Sequence, residues 1–130
     1  MIITIDASAI IAVISDEPSK ENIIKVTRDS ELVAPDSIHW EIGNAFSSLL
    51  KRHLINLGQA LSAIKIYDTI PIRFVKVDLE PSIKIADTFG IYAYDAYVIE
   101  CAAKYRTSLL TLDHRLAEFA QKKGIEVIRL

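Results

Sequence analysis

The sequence predicts an α/β domain in three layers, with helices covering both faces of a mostly parallel five-stranded sheet. Short apolar runs rich in Ile and Val alternate along the whole chain with stretches of helical period, the pattern of repeated strand–helix–strand units. Neither a linker nor a repeat of solenoid length interrupts that alternation. The 130 residues, half of them hydrophobic and a quarter charged, suffice for one domain spanning 1–130 with its own core.

"IITI" at residues 2–5 is a β-branched apolar run and reads as a buried strand, with Asp6 at its carboxyl end. "SAIIAVISDEPS" reads as a short helix stopping near Asp16 and Pro18. "SKENIIKVTRD" follows as a second helix, with Ser19 as its N-cap and Glu21 in the first turn. "ELVAP" is a second strand, closed by Pro35. "DSIHWEIGNAFSSLLKRHLI" is a long helix, expected to be capped by Asp36, with Ile38, Ile42, Phe46 and Leu49 on its core stripe. A helix through "LGQALSAIKIYDTI" precedes a half-exposed strand, "IRFVKV". "EPSIKIADTF" is a helix with Pro81 in its first turn and Gly90 near its end. The helix "YAYDAYVIECAAKY", the strand "SLLTL", the helix "DHRLAEFAQKK" closed by Gly124, and a last strand "IEVIRL" complete the chain.

Composition excludes several classes. The longest uninterrupted apolar run, residues 9–14, is far too short to span a bilayer. "MIITIDAS" has no basic region ahead of its apolar stretch, so an intracellular, cytoplasmic location is expected. One cysteine, Cys101, excludes an internal disulfide framework and a multi-cysteine zinc site; its helical surroundings make it a small core residue. The net charge of −2 is unpromising for a nucleic-acid partner. With four acids set aside in one site, 15 basic residues face 13 acids, a balance of +2. Lys51–Arg52, Lys104 with Arg106, and Lys122–Lys123 then supply modest basic patches.

Four acids fall where an α/β sheet places its ligands, outside the carboxyl ends of the strands. Asp6 ends the first strand and Asp113 ends the fourth, in similar strand–Asp–helix corners. Asp95 shares a helix stripe with Val98, Ile99, Ala102 and Ala103, where a carboxylate is costly to bury without a charged partner. Glu41 lies at the edge of the long helix's apolar stripe, beside Asn44 and Ser48. Carboxylates gathered together repel one another, and Mg²⁺ or Mn²⁺ relieves that conflict because hard cations prefer oxygen ligands. Such ions generate hydroxide from bound water and polarise phosphates, which is phosphodiester hydrolysis. Each acid also has a structural reading. Asp6, Asp95 and Asp113 are all placed to cap helices, and Glu41 to favour a helix dipole. Ser8 and Thr111, two residues from Asp6 and Asp113, either orient those carboxylates or serve as a helix cap and a strand former.

"IDASAI", "WEIGNAF", "YDAYVIECA" and "LLTLDHRLAEFAQKKGIEVI", in that order over nearly the whole chain, resemble the PIN-domain family, and within it the VapC-type ribonuclease toxins of toxin–antitoxin systems. The resemblance implies strand order 3-2-1-4-5 and a Mg²⁺- or Mn²⁺-dependent endoribonuclease that leaves 5′-phosphate and 3′-hydroxyl ends. Its acids would be Asp6, Glu41, Asp95 and Asp113, supported by Ser8 and Thr111. It also implies RNA as substrate, a homodimer, and a protein antitoxin whose C-terminal segment occupies the groove. The alternative is a PIN fold that binds RNA or a partner without cutting. A phosphotransfer domain fits poorly, because Asp6-Ala7-Ser8 lacks the Asp-x-Asp such enzymes need.

Other residues carry less. His39, His53 and His114 have no mutual zinc-ligand spacing. Trp40 falls roughly opposite the core stripe, at a dimer or antitoxin interface or packed under a neighbouring helix. Tyr92, Tyr94 and Tyr97 are expected in the core or an interface, with base stacking the other reading.

Overall fold

A computed structural model describes all residues, 1–130. The elements are β1 (Ile2–Ile5), α1 (Ala7–Ile14), α2 (Lys20–Thr27), β2 (Glu31–Pro35), α3 (Ile38–Lys51), α4 (Leu57–Tyr67), β3 (Ile72–Val75), α5 (Leu79–Phe89), α6 (Ala93–Tyr105), β4 (Ser108–Leu110) and α7 (His114–Lys122). All ladder pairs are parallel, in the order β3-β2-β1-β4. The chain therefore leaves β1 in one direction for β2 and reaches β4 on the other side. A switch point between β1 and β4 results, and it opens a crevice at their carboxyl ends.

The expected fifth strand is reduced to a single parallel bridge. Val127 pairs with Leu109, held by Leu109 N donating to Glu126 O and Ile128 N to Leu109 O, both at 2.9 Å. The position is the expected one, outside β4. Its neighbour β4 is only 3 residues long, so little ladder exists for a longer strand to extend.

Packing follows the sequence pattern. α1 packs on α2, α3 and α4, while α6 lies across β1, β2 and β4 with α5 beside it. Ile38, Ile42 and Phe46 of α3 are buried, and Leu49 packs partly exposed against the same core. On β1, Ile3 and Ile5 enter that core. Thr4 points to the opposite face, where its Oγ1 meets Thr107 Oγ1 at 2.6 Å and Cys101 Sγ at 3.7 Å. Cys101 is fully buried, as its surroundings imply. Gly90 closes α5 with φ +64°, a left-handed cap that glycine adopts at least cost.

Two expected caps differ. Ser19 makes no side-chain cap bond. At α3 the helical turn begins one residue late, so Ser37, not Asp36, occupies the capping position, and its side chain also makes no cap bond. Asp36 is instead tied by its backbone to the sheet, its N–H donating to Val75 O at 3.0 Å. No helix is long and apolar enough to cross a membrane.

Candidate active site

The neighbouring positions of β1 and β4 put their ends side by side. Ile5 is the register partner of Leu110, so the next residues, Asp6 and Thr111, meet. Asp6 is only 5% exposed. Its carboxylate accepts from three donors: Ala9 N at 3.0 Å, Thr111 Oγ1 at 2.5 Å and Ser8 Oγ, 2.7 Å from Oδ1 and 2.9 Å from Oδ2. Asp6 is thus the N-cap of α1 and the hub of a polar cluster at once. The two hydroxyls are themselves fixed. Ser8 Oγ accepts from Leu112 N, and Thr111 Oγ1 from Asp113 N, both at 3.0 Å. Each hydroxyl therefore spends its one proton on Asp6 and uses its lone pairs to hold the turn after β4.

Asp113 caps α7, its Oδ1 accepting from Arg115 N at 2.9 Å and Leu116 N at 3.1 Å. Asp95 does not cap α6. It sits in the first turn, half-buried, behind a capping position filled by Tyr92. It lines a cavity of about 120 Å³ with Asp113, Arg115, Tyr92, Leu116 and Phe119. Glu41 is half-buried in the first turn of α3.

Glu41 senses all three aspartates, and the Asp113 charge acts on both Asp6 and Asp95. Burial pushes the Asp6 carboxyl up despite its three donors, and the Asp113 charge adds to the rise. Burial pushes Glu41 up to about 7, with further upward contributions from Asp6, Asp95 and Asp113. Asp95 is raised by burial and by Asp113, and lowered by Arg115. Arg115 is the cation that sequence reading overlooked. Its signal was its place two residues after Asp113, in the first turn of α7, where it faces the same cavity as both aspartates.

The structure brings these acids into electrostatic contact but not into a ligand ring. As the side chains stand, no group of three or more Asp, Glu, His or Cys residues is arranged to hold a metal ion. In chemistry the donor set still fits a hard divalent cation. All four donors are carboxylates, and three of them are held above their ordinary values by burial and mutual repulsion. An added positive charge removes exactly that cost, though the carboxylates must rotate to meet it.

Comparison with known proteins bears on the family and the fold. The PIN-domain family model matches residues 3–122. The chain belongs to the PIN-domain family. It is 28% identical over 123 residues to Ribonuclease VapC3 of Pyrobaculum aerophilum, a match covering 91% of this chain and 94% of that protein. Among solved structures, VapBC2 of Rickettsia felis bound to a DNA fragment from its promoter superposes with TM-score 0.70 at 14% identity, covering 98% of each chain. VapC20 of Mycobacterium tuberculosis, a toxin that cleaves the sarcin–ricin loop, gives TM-score 0.67 at 13% identity over 98% of this chain and 99% of that one. Those two likenesses establish the fold.

Trp40 lies opposite the core stripe as expected, while the core reading of Tyr92 and Tyr94 does not hold. Tyr92 is 89% exposed and Trp40 67% exposed, and Tyr94 is also exposed. None of the three is in the core. The cause is register: Tyr92 precedes the first turn of α6, Tyr94 falls on its outer side, and Ile38 and Ile42 take the inner face of α3.

Proposed function

We propose that the chain is a divalent-metal-dependent endoribonuclease, the toxin of a toxin–antitoxin pair, acting in the cytoplasm as a homodimer that a protein antitoxin restrains. The observation that carries the reading is Asp6, buried at the β1–β4 switch point, oriented by Ser8 and Thr111, with the Asp113 charge acting on it and Glu41 within the field of all three aspartates. The name of the curated relative, a ribonuclease, supports the same reaction class.

In this reading Asp6, Asp95, Asp113 and Glu41 hold Mg²⁺ or Mn²⁺. The ion supplies charge neutralisation at the phosphate and a water acidic enough to act near neutral pH. Ser8 and Thr111 keep the Asp6 carboxylate in one orientation. Glu41, which all three aspartates act on, would bind the metal with them or orient the attacking water. The water oxygen would bond to phosphorus as its proton passes to solvent, and the P–O3′ bond would break with O3′ taking a proton from solvent, leaving 5′-phosphate and 3′-hydroxyl ends.

The test is cleavage of RNA with Mg²⁺ or Mn²⁺ by the wild type, Asp6→Asn and Asp95→Asn. Cleavage by the wild type and its loss in both variants is expected; undiminished cleavage in both sinks the assignment. The dispersed placement of the four carboxylates favours one rival, a PIN fold that binds RNA or a partner without cutting. Metal-independent RNA binding with no product would establish that rival.

A further inference from the structure

Arg115 is the one cation among the groups whose charge acts on the acids. It lies in the first turn of α7, where its backbone is fixed, its N–H donating to Asp113 Oδ1 at 2.9 Å. Arg115 lines two cavities. One is the pocket of about 120 Å³ that it shares with Asp95 and Asp113. The other is an open cleft of about 770 Å³ between α7 and the C-terminal segment, whose polar lining includes Thr111, Asp113, His114, Gln121 and Arg129. Asp113 and Arg115 line both, so Arg115 stands where the cleft meets the acids.

Two carboxylates are near, yet the guanidinium pairs with neither. The ion pairs of the chain are Lys20–Asp16, Arg73–Glu31, Lys84–Glu80 and Lys104–Asp78. The only arginine side chain that donates a hydrogen bond is that of Arg73. Arg115 is held by an aromatic ring instead. Its Cζ lies 5.6 Å from the centroid of Phe119, its neighbour at i+4 on the helix surface. Phe119 is itself stacked on Phe89, at 5.0 Å and 27°. A ring offers no strong hydrogen-bond acceptor, so the N–H donors of the guanidinium fork remain available. The charge still reaches Asp95, whose carboxyl it lowers against burial and Asp113. Lys122 Nζ lies over the same ring, also at 5.6 Å, but Lys122 lines neither cavity.

This placement has two consequences. Asp95 and Asp113 stay free of an ion pair that would compete with a metal cation for their oxygens. The open fork matches two oxygens of a phosphate, and the polar cleft gives a nucleic-acid strand room to run up to it.

We propose that Arg115 binds the scissile phosphodiester of RNA, its guanidinium donating to the non-bridging oxygens, on which negative charge grows as water attacks. The inference rests on the ribonuclease reading above and adds to its four acids a cationic residue that touches the substrate.

Arg115→Met keeps the stem over Phe119 and removes the charge, while Arg115→Lys keeps a charge and removes the fork. In RNA cleavage with Mg²⁺, Arg115→Met should lower kcat by about 100- to 1,000-fold, the loss expected when one preorganised donor to a developing charge is removed. KM should change far less, and Arg115→Lys should fall between wild type and Arg115→Met. Guanidinium chloride, set against an equal concentration of sodium chloride, should restore part of the activity of Arg115→Ala. Binding gives a readout without chemistry. The anisotropy of a fluorescein-labelled RNA oligonucleotide is titrated across a salt series, with Ca²⁺, another oxygen-seeking cation, in place of Mg²⁺. The slope of log affinity against log salt should be shallower by about 0.7 in Arg115→Met, one phosphate contact fewer. An unchanged slope, or a loss confined to KM, overturns the proposal. Recovery of Arg115→Met at higher Mg²⁺ also overturns it, because Arg115 then acts through Asp95 and the cation. A lowered melting temperature with kcat intact does the same and leaves Arg115 as a cover for Phe119. A wild type that cuts no RNA defeats the ribonuclease reading alone, because the salt slope still reads the contact.

Discussion

The charge conflict around Glu41 makes stability depend on pH in a specific direction. Its carboxyl is raised from 4.5 to about 7, chiefly by burial and then by Asp6, Asp95 and Asp113. Between those two values the folded chain binds the proton more strongly than the unfolded chain. Stability therefore falls as pH rises through that window. The contribution is fully present below about 4.5 and is lost above about 7. Taken at face value the shift corresponds to about 3.4 kcal/mol at about 1.36 kcal/mol per unit. Glu41 is only half-buried, and solvent screening reduces the effect to about 1–2 kcal/mol. Glu41→Gln removes the ionisation and keeps the shape. Thermal unfolding of the metal-free chain should therefore show the variant level with the wild type near pH 4.5 and more stable at pH 8. At about 3–5 °C per kcal/mol for a chain of this size, the gain is about 3–10 °C. Adding Mg²⁺ at pH 8 should stabilise the wild type by ligand linkage and the variant less. A variant equal to or less stable than the wild type at pH 8 without metal would refute the electrostatic argument.

Three further outcomes follow from the hydrogen bonds. Asp113→Asn keeps an oxygen to cap α7 and removes the charge, so RNA cleavage should fall while the melting temperature holds; Asp113→Ala should lose both, with about 0.5–2 kcal/mol of stability gone in a denaturant titration. Thr111→Val removes a donor to Asp6 and strands Asp113 N, which should cost about 1–3 kcal/mol and lower cleavage by about tenfold or more; unchanged cleavage would deny Thr111 its orienting part. Asp95→Asn makes no cap to lose, so a calorimetric scan without metal should show it at least as stable as the wild type, while its cleavage should vanish.

Much of this fold was legible because periodicity and burial point the same way. β1 is Ile at every position but Thr4 and lies inside the sheet; β3 alternates and forms an edge. Helix starts were less legible. Asp36 and Ser37 are both good caps by type, and only the anchoring of Asp36 N to β3 decides between them. Such a long-range bond leaves no local signal. The fifth strand was overread for a related reason: "IEVIRL" has strand composition, yet a partner of 3 residues limits its ladder to one bridge. At the site, the pairing of Asp6 with Thr111 follows from two strand ends being neighbours, a topological fact that spacing alone cannot supply. The outward placement of the tyrosines was less legible for a different reason. Tyr92, Tyr94 and Tyr97 crowd six residues of sequence, and composition does not say which of them a helix turns outward.

Capping and chemistry are not rival readings of Asp6 and Asp113. A strand that runs straight into a helix leaves its last residue at the helix N-terminus, where free N–H groups and the positive end of the dipole favour an ionised carboxylate. That is the stabilisation a buried acid needs if it is to stay charged against its neighbours. The caps also leave acceptor capacity. Asp6 takes three donors against about four lone-pair directions, and both bonds to Asp113 end on Oδ1. Two acids are thus fixed by the backbone, and the other two, Asp95 and Glu41, reach the crevice from first turns without cap bonds. The division accounts for the dispersed arrangement of the four. Asp6 and Asp113 hold their places at the strand ends, and on the proposed metal-binding reading closing the set around a cation would fall to rotation of Asp95 and Glu41. Those two are both raised by burial and by neighbouring acids, so a cation that entered would favour closing of the set that their charge holds apart.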